Sequence, residues 1–146
     1  MKVTILGKGL AGVFTAQHFK YYNPQLDVEI IYDPNIDPVP IGQATLTETP
    51  SFLWRFFKMD WYNNPLGATP KTGILYENWG SLKDKFFHPF PMSATAMHYD
   101  TTKVQDYILE HGDFTITEKH VTGYDEVDAD YIIDARGFPK DFNKYD

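Results

Sequence analysis

The sequence predicts an α/β fold, with a largely parallel sheet in a three-layer arrangement. Three observations carry that prediction. An apolar, β-branched run at Val3 to Leu6 passes directly into glycines at positions 7, 9 and 12. A helical periodicity follows, and a second apolar run stands at Val28 to Tyr32. Strand, glycine turn, helix and strand, in that order and within about thirty residues, make the unit from which parallel sheets are built. The 146 residues 1–146 are expected to form a single domain, long enough to bury a core without staples.

The elements follow in order. Val3 to Leu6 is a buried strand. Leu10, Val13, Phe14, Gln17 and Tyr21 share one face of a helix, which Asn23-Pro24 stops. Val28 to Tyr32 is the second strand, ended by Asp33-Pro34. Positions 34 to 50, rich in proline and polar residues, read as an ordered functional loop. Residues 51–70 are partly helical, with Phe52, Trp54, Phe56, Phe57 and Trp61, and break at "YNNPLGATP". Lys71 to Trp79 reads as one strand, with Ile74 and Tyr76 on one face. "FFHPFPMSATAMHY" reads as loop or edge strand, because Pro89 and Pro91 remove ladder donors. Asp100 is an N-cap for a helix with Val104, Tyr107, Ile108 and His111 on one face, and Gly112 ends it. Phe114 to Val121 and Asp130 to Asp134 are the last two strands.

Composition narrows the function. There is no cysteine, which excludes disulfides and thiolate chemistry and suits a reducing, cytoplasmic setting. A formal net charge of -7 and the lack of a basic run argue against nucleic acid or a membrane surface as partner. Lys2 leads into a strand-like run rather than a cleavage pattern, so no leader is expected, and no apolar stretch is long enough for a bilayer. His88, His98 and His111 follow no metal-ligand spacing, so no metal site is expected. Asp125, Glu126 and Asp128 read as a solvated turn. Aromatics make up 16% of the chain. Tyr76, Trp79, Phe86 and Phe87 are either core or the wall of a site for a flat ring.

The glycines Gly7, Gly9 and Gly12 have the G-x-G-x-x-G spacing of a Rossmann-like dinucleotide turn. The first glycine allows the tight turn, the second lets backbone approach a pyrophosphate, and the third lets helix and strand pack closely. Backbone around Gly7, Gly9, Leu10, Ala11 and Gly12 would then face the phosphates at the start of the helix. Asp33 lies 21 positions after Gly12, where a ribose-binding acid is expected. The alternative is a tight strand–helix turn with no ligand, and an acid before proline is also ordinary turn chemistry. The turn does not separate NAD from FAD. The late strand "ADYIIDARGF", with Asp134 and Gly137, suits a flavoprotein whose backbone passes near the pyrophosphate there; the alternative is a plain core strand with a turn glycine.

Six segments, in order and covering most of the chain, together resemble the flavin-dependent tryptophan halogenases: "ILGKGLAG", "VPIGQATLTETP", "PKTGILYENWG", "FFHPF", "MHYDTTKVQDYIL" and "ADYIIDARGFPK". The resemblance implies FAD as cofactor. It implies that Ile41, Gly42, Gln43, Ala44 and Thr45 belong to a flavin strap lining the isoalloxazine, with Gln43 where the family usually has Glu and Thr47 where it usually has Pro. It implies that Lys71 matches the family's catalytic lysine, which handles hypohalous acid at the end of a tunnel from the flavin. His88 falls in a loop near the flavin in the family. The family's Trp-x-Trp-x-Ile-Pro motif, halide site and second catalytic acid have no recognisable match here. The expectation is therefore a small FAD-binding oxidoreductase, passing electrons between a small donor and acceptor. The alternative is a non-catalytic flavin-binding or interaction module, a fragment of a split halogenase. A homodimer or larger homo-oligomer is expected to cover the aromatics at Phe52 to Trp61 and Phe86 to Phe90.

Overall fold

Burial of the first strand organises the fold. Val3, Ile5 and Leu6 are at most 2% exposed, and strand β1 (Lys2–Leu6) lies inside a four-stranded sheet. The computed structural model describes residues 1–37, 39, 41–80, 84–91 and 93–137. Pro40 of the strap segment, Met92, and the Phe138-Pro139-Lys140 end of the last matched segment lie outside the described residues. The chain divides into two compact units, one of Met1–Val39 with Thr102–Asp146 and one of Pro40–Thr101.

In the first unit, helix α1 (Leu10–Tyr22) follows β1 and leads to β2 (Asp27–Tyr32). Later come β8 (Thr115–Glu118) and β9 (Tyr131–Asp134), and the sheet order is β8-β2-β1-β9. Every neighbouring pair is parallel, with Ile5 opposite Ile30 and Ile133. The α/β fold with a parallel sheet is thus as the sequence predicts. Helix α1 packs on β1 and β2. Its buried residues are Gly12, Val13, Ala16 and Gln17. Tyr21, expected on that face, is instead 40% exposed. The small residues Gly12 and Ala16 let the backbone approach the sheet, and the large apolar residues that dominate the periodicity stand around that contact. Lys20 closes the helix, donating to the carbonyls of Pro24 and Leu26. On the sheet's other face, Leu6, Ile31 and Val121 form a buried cluster with Val127 and Ile132 against it. Helix α3 (Thr101–His111) buries Val104 and Ile108 completely, and the Gly112 N–H bonds the Ile108 carbonyl at its end.

The second unit is antiparallel. Strands β3 (Gly42–Ala44), β4 (Thr69–Lys71) and β7 (Ala96–Asp100) form a sheet in the order β3-β7-β4, and β5 (Gly73–Glu77) pairs with β6 (Lys85–Pro89). Helix α2 (Glu48–Phe57) packs on β7 and buries Leu53. Two expectations are corrected here. The strand expected over Lys71 to Trp79 is two strands in different sheets, interrupted at Thr72, whose carbonyl accepts the Phe90 N–H. "FFHPFPMSATAMHY" is neither loop nor edge throughout, since Ala96–Asp100 is the central strand of its sheet. Pro89 ends β6 and Pro91 follows it, so neither interrupts a central ladder. The functional loop at 34–50 also contains β3 and the first turn of α2. Tyr76 stacks on Phe86 at 4.8 Å and lies 4.5 Å from Trp79. Trp79 is 62% and Phe87 54% exposed, so this aromatic group is not core.

Among the described residues, one charged side chain is buried in the parallel sheet. Glu29 of β2 is 9% exposed; it accepts from the Thr117 hydroxyl and pairs with Lys2 at 2.9 Å. Burial works to raise its pKa, but the Thr117 and Lys2 hydrogen bonds outweigh it and hold the carboxyl below the ordinary 4.5. A depressed folded pKa stabilises above the unfolded value, and that stability is lost as pH falls through the folded one. Glu29→Gln is expected to cost about 1–3 kcal/mol at neutral pH and to flatten the fall in melting temperature below pH 4.5. A thermal melt series against pH, compared with the parent chain, measures both; equal slopes in the two proteins would exclude this role.

Candidate dinucleotide site

The glycine turn joins the end of β1 to the start of α1. The Gly7 N–H donates to the Ile31 carbonyl at 2.8 Å, and the Gly7 φ is +105°. A Cβ there would lie 2.8 Å from the Ala135 carbonyl oxygen, so the turn is pressed against the chain leaving β9. A Cβ on Gly12 would meet the Gly7 carbonyl oxygen at 1.9 Å. The first and third glycines are therefore required by geometry. Gly9 differs: it is the N-cap of α1, φ -62° and ψ 173°, and a Cβ there would have none of the described residues within 4 Å. This is the position where backbone is free to meet a ligand. Gly9 brings no side chain to cap the helix, and the first turn of α1 holds no acid. Such a helix start presents N–H groups and a partial positive charge, which favour an anion.

The turn lies at the carboxyl ends of the parallel strands. From β1 the chain crosses to β2 on one side, while β9 lies on the other. A crevice outside such strand ends, where connections diverge, is where open α/β sheets bind ligands. Lys8 stands beside it, with Nζ 3.8 Å from the Tyr32 ring centroid. The Tyr32 hydroxyl donates to Glu118 at 2.5 Å, and this bond raises the phenol's pKa.

Asp33 follows β2 at the same edge. Its Oδ1 accepts the Asn35 N–H and side-chain amide, both at 2.9 Å, and Oδ2 lies 2.5 Å from His120 Nδ1. The Asn35 backbone bond, then His120 and the Asn35 side chain, hold the carboxyl below its usual range. Asp134 ends β9 in a bidentate pair with Arg136, Nε to Oδ1 at 2.9 Å and Nη2 to Oδ2 at 2.6 Å. Arg136 thereby depresses the Asp134 pKa, against the opposing effect of burial. The same guanidinium donates to the Val121 carbonyl, and the Tyr124 hydroxyl donates to Asp134. Gly137 has φ +92°, and a Cβ there would have none of the described residues within 4 Å. The first unit thus gathers Gly7, Gly9, Leu10, Ala11, Gly12, Asp33, Asp134 and Gly137 at the carboxyl end of one sheet.

The second unit carries the rest. Gly42, Gln43 and Ala44 form β3 opposite Asp100, Tyr99 and His98, and Ile41 precedes them. Gln43 Oε1 accepts from the Tyr99 hydroxyl at 3.0 Å. Thr45 is 7% exposed; its hydroxyl donates to the Leu46 carbonyl and accepts the Met97 N–H. Its side chain therefore fastens the strap to β7. Lys71 ends β4 opposite Ala96, half-buried, with Nζ 5.4 Å from the Phe90 ring centroid. The glycine two residues on has a reason in the structure: a Cβ on Gly73 would strike the Phe87 ring at 2.4 Å. His88 is exposed on β6 opposite Ile74. The acid turn is a short 3-10 helix, Tyr124–Glu126, in which Glu126 accepts from the Thr122 hydroxyl and the Gly123 N–H.

Sequence reasoning missed His120 and Arg136. Arg136 adjoined a named strand end, but only the fold shows that it grips Asp134. His120 reaches Asp33 because β2 and β8 pair in parallel with Tyr32 opposite Glu118, and the Lys119 N–H continues the ladder to the Tyr32 carbonyl. No metal-binding group of three or more side chains occurs among the described residues, and no described helix is long and apolar enough to cross a membrane.

Known proteins share this family and fold. The family model for tryptophan halogenase matches residues 2–116. The 7-chloro-L-tryptophan 6-halogenase KtzR of Kutzneria sp. (strain 744) is 30% identical over 92 residues, 60% of this chain and 17% of that protein. The tryptophan 6-halogenase SttH of Streptomyces toxytricini is 26% identical over 113 residues, 76% of this chain and 21% of that protein. The solved structure of BrvH, a flavin-dependent halogenase from Brevundimonas sp. BAL3, superimposes with a TM-score of 0.70 at 18% identity, over 94% of this chain and 42% of that one. This chain thus spans about a fifth of the curated relatives' length.

The three glycines are expected to respond differently in the ligand-free protein. Gly9→Ala should leave the melting temperature unchanged. Gly7→Ala and Gly12→Ala should each cost about 1–3 kcal/mol or more, the first through backbone strain and the second through overpacking. Denaturant titrations of the three variants decide it, and a destabilised Gly9→Ala would mean that its open side is filled.

Proposed function

We propose a cofactor-holding role for this chain, which belongs to the tryptophan halogenase family. Residues 1–146 act on this reading as one FAD-binding flavoprotein module. The observation that carries it is the contrast within the glycine turn, where Gly7 and Gly12 are sealed by neighbouring backbone and Gly9 faces open space. The residues present fit the group. Backbone N–H groups at Gly9, Leu10, Ala11 and Gly12 would hold the pyrophosphate, Asp33 would accept from the ribose, and the backbone near Asp134 and Gly137 would pass beside the phosphates. Ile41 to Thr45 would form the strap, in which Gln43 is held by the Tyr99 hydroxyl. FAD, when bound, supplies two-electron redox chemistry between a small donor and a small acceptor.

The residues of the chain have narrower tasks. Gln43 is uncharged, so the strap adds no negative charge where the family usually carries one. Lys71 is the candidate catalytic residue. An ammonium held half-buried near an aromatic ring donates hydrogen bonds and a positive charge to an anion or an oxygen-bound proton acceptor. Since the chain covers 17% and 21% of two curated relatives, halogenation itself is not part of this proposal. The second reading is a flavin-binding module without turnover of its own.

Purified protein reconstituted with FAD should show the absorption bands of bound flavin. Gly9→Val should weaken FAD binding at least about tenfold, by blocking backbone approach, with its circular dichroism unchanged. Equal affinity in the variant would remove the turn as the site. Lys71→Ala should keep FAD affinity within about twofold, as a residue outside the phosphate site should; a larger loss would assign Lys71 to cofactor binding instead. Flavin reduction and reoxidation in a stopped-flow instrument separates the two readings.

A further inference from the structure

We infer that His120 is a positioning residue for the ribose acceptor Asp33, an inference that rests on the cofactor reading above. Asn35 places both of its donors on one oxygen, Oδ1, each at 2.9 Å. That arrangement anchors the carboxylate but leaves it free to pivot about Oδ1. The contact that stops the pivot comes from another part of the chain, His120 Nδ1 at 2.5 Å from Oδ2. A carboxylate at neutral pH only accepts, so Nδ1 carries the proton and the ring is fixed in orientation.

The neighbouring groups are committed elsewhere. The Lys119 ammonium donates to the Glu126 carbonyl at 2.8 Å, and Glu118 accepts from Tyr32. The Asp33 side chain is 14% exposed, while His120 is 66% exposed, so the histidine is held there by the carboxylate rather than by burial in a core. A carboxylate offers about four lone-pair sites. Three are used, and the fourth, on Oδ2, remains for one ribose hydroxyl. His120 therefore fixes the direction in which that last site points, and its removal should weaken ribose recognition specifically.

Calorimetric titration of the full chain with ADP and with 2′,3′-dideoxy-ADP tests this. His120→Ala should weaken ADP binding about 3- to 10-fold, the range of one hydrogen bond, and leave dideoxy-ADP binding unchanged. His120→Asn, whose amide N–H can replace Nδ1–H, should restore most of the ADP affinity. Equal losses for both ligands, an unaffected ADP affinity, or no rescue by asparagine would each overturn the inference. A parent chain that binds neither ADP nor FAD would overturn the cofactor reading itself, and this inference with it.

Discussion

The rest of the first unit depends on the contact between Gly12 and the Gly7 carbonyl. A Cβ at residue 12 would lie 1.9 Å from that oxygen, so the helix and the end of the central strand meet backbone to backbone. That approach sets where α1 lies on β1 and β2, and so which residues become core. Val13, Ala16 and Gln17 are buried because Gly12 allows the helix down onto the sheet. It also fixes the height of the helix N-terminus relative to the strand ends. Packing and the position of the helix N-terminus are thus consequences of the same missing side chain.

Glycine spacing, an acid 21 residues later and β-branched runs were enough to read this unit from the sequence, because each is a local pattern with one geometric outcome. What stayed hidden was everything set by strand register. The pairing of Asp33 with His120 spans 87 positions and exists only because β2 and β8 run side by side. The polar link from Thr117 to Glu29 has the same origin, across 88 positions. Helix α1 shows a second kind of blind spot. Periodicity weighs large apolar side chains, so it assigned Tyr21 to the face that Gly12 and Ala16 occupy.

The second unit was less legible because its strands are short and proline-rich. Pro89 and Pro91 suggest loop or edge strand for the whole of "FFHPFPMSATAMHY", whereas Pro89 ends one strand and Pro91 precedes a central strand of another sheet. The single strand expected at Lys71 to Trp79 fails for a related reason. At Thr72 the chain passes from pairing with β7 to pairing with β6, and nothing in the alternation of side chains marks the change. The lysine motif nonetheless has a physical logic of its own. Gly73 lacks a side chain because the Phe87 ring lies across it, and Lys71, two residues earlier, ends its strand near Phe90.

An acidic chain that holds an anionic cofactor must do so locally. The net charge is -7, and a pyrophosphate approaching from a distance is repelled on average. Within about a Debye length, roughly 8 Å at physiological ionic strength, the balance is set by the nearest groups. At the glycine turn these are the uncapped N-terminus of α1, a first turn without acids, and Lys8. The nearby carboxylates are already engaged, Asp33 by Asn35 and His120 and Asp134 by Arg136. The Arg136 guanidinium offsets the charge of Asp134, and the Asn35 and His120 donors point their N–H dipoles at Asp33. On the cofactor proposal, the contacts that orient the acids would also make the edge of the sheet more hospitable to phosphate, and one set of hydrogen bonds would serve both recognition of the sugar and tolerance of the anion beside it.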